Sequence, residues 1–323
     1  MGNIPITKAT DATVKAAAEA LRAGNLVVFP TETVYGLGAD ATNEDAVRRI
    51  FTAKGRPAHN PLISHVADFE TLERIAVTSN NARRLAEAFW PGPLTLVLPR
   101  SPGSPVSPLA TAKLDTIAVR IPAHPTALAL LQAFGGPVVA PSANVSGQVS
   151  PTRAEHVQLT EETHVAMILD AGPCDVGLES TIVNLAEDAP MLLRPGGITK
   201  EQIEDVIGPL QEGPATSNTP SAPGQLASHY APHSCVRLNA DAPSPGEAYL
   251  GFGPDNTVVT DNSLNLSPAG DLAEAAANLY DYLRKLDRLG CDVIAIAPIP
   301  NTGLGKAIND RLNRAAAPRP NEG

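Results

Sequence analysis

The stretch Leu26-Val-Val-Phe-Pro-Thr-Glu-Thr-Val-Tyr-Gly-Leu-Gly38 runs from an apolar segment into a cluster of hydroxyl, carboxyl and phenol groups. Leu26–Phe29 is a short run of strand formers that reads as a buried strand. Strand ends carry ligands in open α/β sheets, and Thr31, Glu32, Thr33 and Tyr35 place polar side chains just past this one. A turn with an exposed polar tip accounts for the same residues. Gly36 and Gly38 do not make Gly-x-Gly-x-x-Gly, and the chain has no Gly-x-x-x-x-Gly-Lys-Ser/Thr loop.

Outward from that strand, helix-like and strand-like segments alternate. Asp11–Ala23 is Ala-rich with helical apolar spacing, started by Asp11 and stopped by Gly24. Asn43 can cap a helix from Glu44 to Thr52, and Asn80–Phe89 and His124–Phe134 read as further helices. Strands are predicted at Leu94–Leu98, Ile117–Ile121, Val138–Ala140, Val165–Leu169, Thr181–Leu185 and Met191–Leu193, with a helix at Thr199–Val206. Successive strands without helices near 165–193 imply a mixed sheet. Residues 1–208 thus read as one α/β domain. Residues 209–235 read as a linker, because Gly213–Gly224 is rich in Pro, Ser, Thr and Gly. Residues 236–323 read as a smaller α/β unit, with strands near Tyr249–Phe252 and Val293–Ile299 and helices near Leu272–Leu289 and Leu304–Ala316.

Composition narrows the function classes. The 323 residues suffice for two cores, and 43% are apolar. No apolar run approaches the roughly 18 residues of a membrane span, and Met1–Thr10 lacks the pattern of a signal peptide. Cys174, Cys235 and Cys291 lie far apart with no Cys-x-x-Cys pair, which suits a reducing compartment and argues against a structural zinc site. The expectation is a cytoplasmic protein with no membrane contact. A net charge of −10 lowers the prior for a nucleic-acid grip, which rests on neutralising phosphates.

Four further segments carry polar groups in unusual settings. In Lys54-Gly-Arg-Pro-Ala-His-Asn-Pro-Leu62, Lys54 and Arg56 flank a glycine and Asn60 is framed by loop residues. Such cations suit a polyphosphate, Lys as a point charge and Arg as a bidentate donor. Lys54 also suits a helix C-terminus. His65 lies on a short strand, where a lone His is more often structural. Thr116, Ala118 and Arg120 share one face of a strand by alternation. Arg120 ends that apolar strand and needs an anion, which either a substrate carboxylate or a structural Asp or Glu would supply.

Ala140-Pro-Ser-Ala-Asn-Val-Ser-Gly147 follows another strand and presents Ser142, Asn144 and Ser146, with Ser150-Pro-Thr152 beyond; Pro-Ser-x-Asn is equally a good turn. In the fourth group, Leu178–Val183 and Leu193–Gly197, Arg194 ends a strand as Arg120 does. No Ser-His-Asp order, helical His pair or placed nucleophilic Cys occurs, and Pro232 breaks the spacing of His229 and His233. Thr, Ser, Asn, Lys and Arg remain. That set suits phosphoryl or nucleotidyl transfer, where positioning and charge stabilisation dominate.

These segments, taken in order with Trp90-Pro-Gly-Pro-Leu-Thr95, Glu179–Asn184 and His229-Tyr-Ala-Pro232, resemble the YrdC-like family of threonylcarbamoyl-AMP synthases in its two-domain form. The resemblance implies a YrdC-like twisted mixed open sheet followed by a small Rossmann-like domain. It implies formation of threonylcarbamoyl-AMP and pyrophosphate from L-threonine, bicarbonate or CO₂, and ATP. The product would pass to a tRNA threonylcarbamoyl-transferase complex, with direct tRNA binding weak or absent.

By the same resemblance Thr33, His65, Arg120, Ala140 and Ser180 would hold threonine. Arg56, Asn60, Thr116, Ser142, Ser150, Arg194 and His229 would hold ATP, with Lys54 as an added phosphate contact. No protein nucleophile is implied, and Mg²⁺ is expected on the ATP phosphates. Glu32 is the nearest acid for a role with metal or amine. The linker departs from the family pattern: Pro223-Gly-Gln-Leu-Ala-Ser-His-Tyr-Ala-Pro232 lacks the usual Lys and first Tyr, and is expected to fold over the nucleotide as a lid. The main rival is an RNA-binding or ribosome-maturation module of the same fold, which the net charge disfavours. A carbamoyl-transfer enzyme of the hydrogenase-maturation type would carry Cys motifs that this chain lacks.

Overall fold

The computed structural model describes residues 4–159, 163–213, 229–254 and 261–318. Its first part runs β1 (Ile6–Lys8), α1 (Asp11–Arg22), β2 (Leu26–Pro30), β3 (Tyr35–Asp40), α2 (Glu44–Lys54), β4 (Ile63–His65), α3 (Phe69–Ile75), α4 (Asn80–Phe89), β5 (Leu94–Pro99), β6 (Thr116–Arg120), α5 (Pro125–Phe134) and β7 (Val138–Val139). It continues with β8 (Val165–Asp170), β9 (Thr181–Asn184), β10 (Met191–Arg194), α6 (Lys200–Ile207) and β11 (Gln211–Glu212). These strands form one mixed sheet, ordered β1-β8-β2-β3-β7-β4-β6-β5-β9-β10-β11. A second, all-parallel sheet is ordered β12-β15-β13-β14. It comprises β12 (Cys235–Arg237), β13 (Ala248–Gly251), β14 (Ser263–Asn265) and β15 (Val293–Ile296), with helices α7 (Leu272–Asp287) and α8 (Leu304–Ala316). The expected mixed sheet with a smaller Rossmann-like unit is what forms.

Strand β2 is wholly buried because both faces are covered. Leu26 and Val28 point into a core shared with Ala46, Val47 and Ile50 of α2. Val27 and Phe29 point the other way, onto Val14, Ala17, Ala18 and Leu21 of α1 and Leu130 and Leu131 of α5. Period-two alternation sorts these residues between two layers, and each buried side chain contributes about 1.5–3 kcal/mol. Small residues on α1 let α1 and α5 lie close together. The caps match the sequence: Asn43 Oδ1 accepts from the Asp45 and Ala46 amides at 3.1 Å, and Gly55 ends α2 in the left-handed region at φ 58°. Helix α1 begins at Asp11 as expected, but Thr10 is the residue that caps it.

The segment after Pro30 differs from an exposed polar tip. Only 31–34 turn; Tyr35–Asp40 return as β3, antiparallel to β2 in the register Phe29↔Gly36 and Val27↔Gly38. Thr31, Glu32 and Thr33 are buried. Gly38 is there for close approach, since a Cβ would stand 2.7 Å from Cε1 of Phe29. Strand β1 and helix α3 carry too short a pattern to be read from sequence.

Beyond the expected boundary at 208, β11 pairs with β10, so the large sheet reaches Glu212. Residues 214–228, which hold the expected lid and most of the linker, lie outside the described residues. Among the described residues no helix is long and apolar enough to cross a membrane.

Candidate active site

Parallel pairing of β4 with β6 puts His65 directly opposite Arg120, both at the strand ends. The 31–34 turn, the loop after β7 and the start of β9 converge there. Together they line a cleft that opens to solvent. Its lining includes Thr33, His65, Arg120, Ala140, Ser142, Ser180, Arg56, Arg194 and His229, nine of the residues the sequence singles out. Thr31, Val34, Gly36, Ile63, Pro141, Glu179 and Tyr230 complete it.

Arg120 is already committed to protein partners. Nη1 donates to Thr33 Oγ1 at 2.9 Å, Nε donates to the Gly92 carbonyl at 3.1 Å, and Nη2 lies 2.5 Å from Glu32 Oε1. Of the two anions the sequence allows for Arg120, the structural acid is present. Burial alone would raise the Glu32 pKa, but the Arg120 charge and hydrogen bond, joined by backbone amides of Glu32 and Ala123, together hold the carboxyl below its usual range. Thr33 Oγ1 also meets Thr31 Oγ1 at 2.8 Å, and Thr31 hydroxyl donates to the Val34 carbonyl, so the turn is braced from inside. Burial, and then the Arg120 cation, lower the His65 pKa to about 3. The imidazole is therefore neutral at physiological pH.

The second half of the cleft is cationic. Arg194 donates twice to the Ser180 carbonyl, from Nε at 3.1 Å and Nη2 at 2.9 Å, and Ser180 Oγ meets Thr95 Oγ1 at 2.7 Å. Arg56 donates from Nη2 to Asn60 Oδ1 at 2.7 Å and to the Pro61 carbonyl at 2.9 Å. Burial, with repulsion from Arg194, lowers Arg56 to about 10, so it stays charged at neutral pH. One buried polar atom of this lining, His229 Nδ1, has no protein hydrogen-bond partner. Orphaned buried groups in a cleft are sites a ligand can satisfy. His229 is also brought down to about 3, chiefly by burial and, among its neighbouring charges, by Arg56.

Four expected residues stand back from the lining. Lys54 is fully buried, and its Nζ donates to the carbonyls of Ser142 at 2.6 Å and Asn144 at 2.5 Å. Its ammonium therefore ties down the loop that carries Ser142. Asn60 sits behind Arg56 and orients it. Ser150 donates to Glu179 Oε1 at 2.6 Å. Thr116 begins β6, about 13 Å along the strand from Arg120 at a rise of about 3.3 Å per residue.

Glu179, Tyr280 and Arg311 are site residues that the sequence does not single out. Glu179 Oε2 accepts from Tyr280 Oη and Arg311 Nε, each at 2.8 Å, from the helices of the second sheet. Its only sequence signal was an acid beside Ser180 in an apolar run. Nothing in the sequence ties Tyr280 or Arg311 to it. Glu32 and Glu179 are the buried carboxylates at or beside the cleft; each faces an arginine, and Glu179 also accepts from the Ser150 and Tyr280 hydroxyls. Among the described residues no group of three or more His, Cys, Asp or Glu could hold a metal ion.

Two family models match successive parts of the chain. One, described as telomere recombination (Sua5/YciO/YrdC), covers residues 19–196; the other, the threonylcarbamoyl-AMP synthase C-terminal domain, covers 198–317. The threonylcarbamoyl-AMP synthase of Bacillus subtilis is 44% identical over 96% of this chain and 94% of its own. That of Pyrococcus abyssi is 45% identical, over 95% and 94%. The crystal structure of P. abyssi Sua5 complexed with L-threonine superposes with a TM-score of 0.88 at 42% identity, covering 97% of each chain. Similarity that extends through both sheets and across the junction between them means that this chain belongs to the threonylcarbamoyl-AMP synthase family.

Proposed function

We infer that this chain is an L-threonylcarbamoyladenylate synthase that carries out adenylylation in the cleft between the 31–34 turn and the Ser142 loop. The observation that carries this reading is the division of the cleft into two chemistries. One end pairs neutral His65 with Arg120 and Thr33; the other gathers Arg56 and Arg194 near Ser142 and His229. The first end suits an amino acid: the Arg120 guanidinium faces its carboxylate while Thr33, Ala140 and Ser180 surround the side chain. The second suits a triphosphate, which planar guanidinium groups bind with directed hydrogen bonds.

In the reaction, the threonine nitrogen bonds to the carbon of CO₂ and gives up a proton to solvent, forming a carbamate; from bicarbonate, a water molecule leaves as the same bond forms. A carbamate oxygen forms a bond to the α-phosphorus of ATP, and the bond from that phosphorus to the bridging oxygen breaks, releasing pyrophosphate. His65, held neutral, does not protonate the carbamate and so preserves its nucleophilic oxygen. Arg56 and Arg194 oppose the charge that builds on the phosphates as the bond breaks. Lys54, Asn60 and Ser150 position rather than touch. Magnesium would enter with ATP as part of the substrate, because the cleft carboxylates are already paired and leave no oxygen cage.

The adenylate would then pass to a tRNA threonylcarbamoyl-transferase complex in the cytoplasm, with little direct tRNA binding by this chain of net charge −10. The test is pyrophosphate release from ATP with L-threonine and bicarbonate in the absence of tRNA. Release should require threonine, and Arg194→Ala should abolish it; release without threonine contradicts the reading.

A further inference from the structure

Glu179 poses an electrostatic problem. It lines a cleft whose Arg56 and Arg194 suit phosphates, yet it is a carboxylate, 7% exposed, and would repel them. Its environment resolves the conflict. Ser150 donates to Oε1, while Tyr280 of α7 and Arg311 of α8 donate to Oε2. Burial alone would raise its pKa; the Arg311 charge, helped by Arg194, brings it to about 2 instead. Arg311 is 1% exposed. Its guanidinium carbon lies 5.2 Å from the Tyr230 ring centroid, and Tyr230 stacks on Tyr280 at 5.8 Å. The helices of the second sheet thus reach the cleft wall through one neutralised acid and one aromatic stack.

We propose that Arg311 is a positioning residue of the nucleotide site: supplied by the second α/β unit, it neutralises and fixes Glu179, so that Arg56 and Arg194 meet an incoming polyphosphate without a competing negative charge. This rests on the nucleotide reading of the cleft given above. On this account the second unit completes the electrostatics of the first. Its docking is a condition for ATP binding and not only for stability. Another charge cluster at the same junction provides the contrast. Asp281 of α7 lies 3.2 Å from His156 Nε2 and 2.9 Å from Lys285 Nζ, and none of these three lines the cleft.

The test is ATP affinity of the full chain, measured by titration calorimetry without threonine, so that turnover plays no part. Arg311→Gln removes the cation that neutralises Glu179 and should weaken ATP binding about tenfold or more, as truncation of one partner in a buried charge pair does. Adding Glu179→Gln to Arg311→Gln removes the repulsion and should restore most of the affinity. Asp281→Asn should alter thermal stability while leaving ATP affinity within about twofold of the parent.

An unchanged affinity in R311Q, or a double variant no tighter than R311Q, overturns the proposal. If R311Q does not fold, E179Q alone decides the matter: it should bind ATP at least as tightly as the parent, and weaker binding overturns the proposal. A parent protein that binds ATP but releases no pyrophosphate would refute the synthase reading and leave this inference standing. One that binds no ATP would overturn both.

Discussion

Arg120 and Glu32 form an ion pair of 2.5 Å whose side chains are 4% and 8% exposed, at the inner end of the cleft. The pair fixes the guanidinium before any substrate arrives, with its Nη1 hydrogen already on Thr33. A threonine carboxylate would therefore meet an arginine with a settled orientation, which limits the entropy lost on binding.

Breaking that pair from one side should be costly. Arg120→Ala strands the Glu32 carboxylate in a buried site, and the unfolding free energy should fall by about 3–5 kcal/mol. Denaturant titration measures this. Removing both charges, with Arg120→Met and Glu32→Gln together, should cost less than Arg120→Ala alone, and threonine binding should be lost in either case.

Lys54 acts through the loop it holds. Lys54→Met leaves the Ser142 and Asn144 carbonyls without their donor and should lower stability by about 1–3 kcal/mol. KM for ATP should rise with it, because Ser142 lines the cleft. If Lys54 touched phosphate directly, a Lys54→Arg exchange would preserve ATP affinity. With the ammonium packed between carbonyls, the larger guanidinium should instead disturb the loop and weaken binding.

Two buried histidines of the cleft, His65 and His229, make stability fall with acid. His65 and His229 sit at about 3 in the folded chain, against an ordinary value of 6.5. Between those values the unfolded chain binds protons that the folded chain refuses. Their contribution is therefore fully present above about pH 6.5 and is lost progressively as pH falls toward 3. Glu179 adds to the loss only below its ordinary 4.5. Urea titrations between pH 6.5 and 5 isolate the histidines, and His65→Asn should flatten that slope.

Metal removal should silence the reaction without loosening the fold. With Glu32 on Arg120 and Glu179 on Arg311, the cleft provides no resident carboxylate set. Excess EDTA should stop pyrophosphate release, while the thermal midpoint of the nucleotide-free protein stays unchanged. A drop in that midpoint would indicate a structural ion.

Much of the large sheet was legible because its strands are buried on both faces and read as continuous apolar runs, as Leu26–Phe29 and Leu94–Leu98 do. Helix ends were legible where a cap states them, as Asn43 does before α2. Strand β3 was hidden because Gly36 and Gly38 look like loop residues, although they make room for Phe29 and Ala140. Within the site, residues at strand ends were legible from an isolated arginine or hydroxyl after an apolar run. The partners of Arg120 and Glu179 were not, because contacts spanning tens to more than a hundred residues leave no periodic trace. Lys54 shows the limit most plainly. A lysine closing a helix before Gly-Arg suggests phosphate, and only the fold reveals that its ammonium faces two backbone carbonyls.

The most direct test of the cleft as an adenylylating site for a threonine-derived carbamate is to incubate the purified chain with ATP, L-threonine and bicarbonate, without tRNA, and follow pyrophosphate together with the nucleotide product. The expected result is release that requires both threonine and bicarbonate, with a stoichiometric adenylate carrying the threonine carbon skeleton. Equal release when threonine is left out, or release without that adenylate, would contradict it.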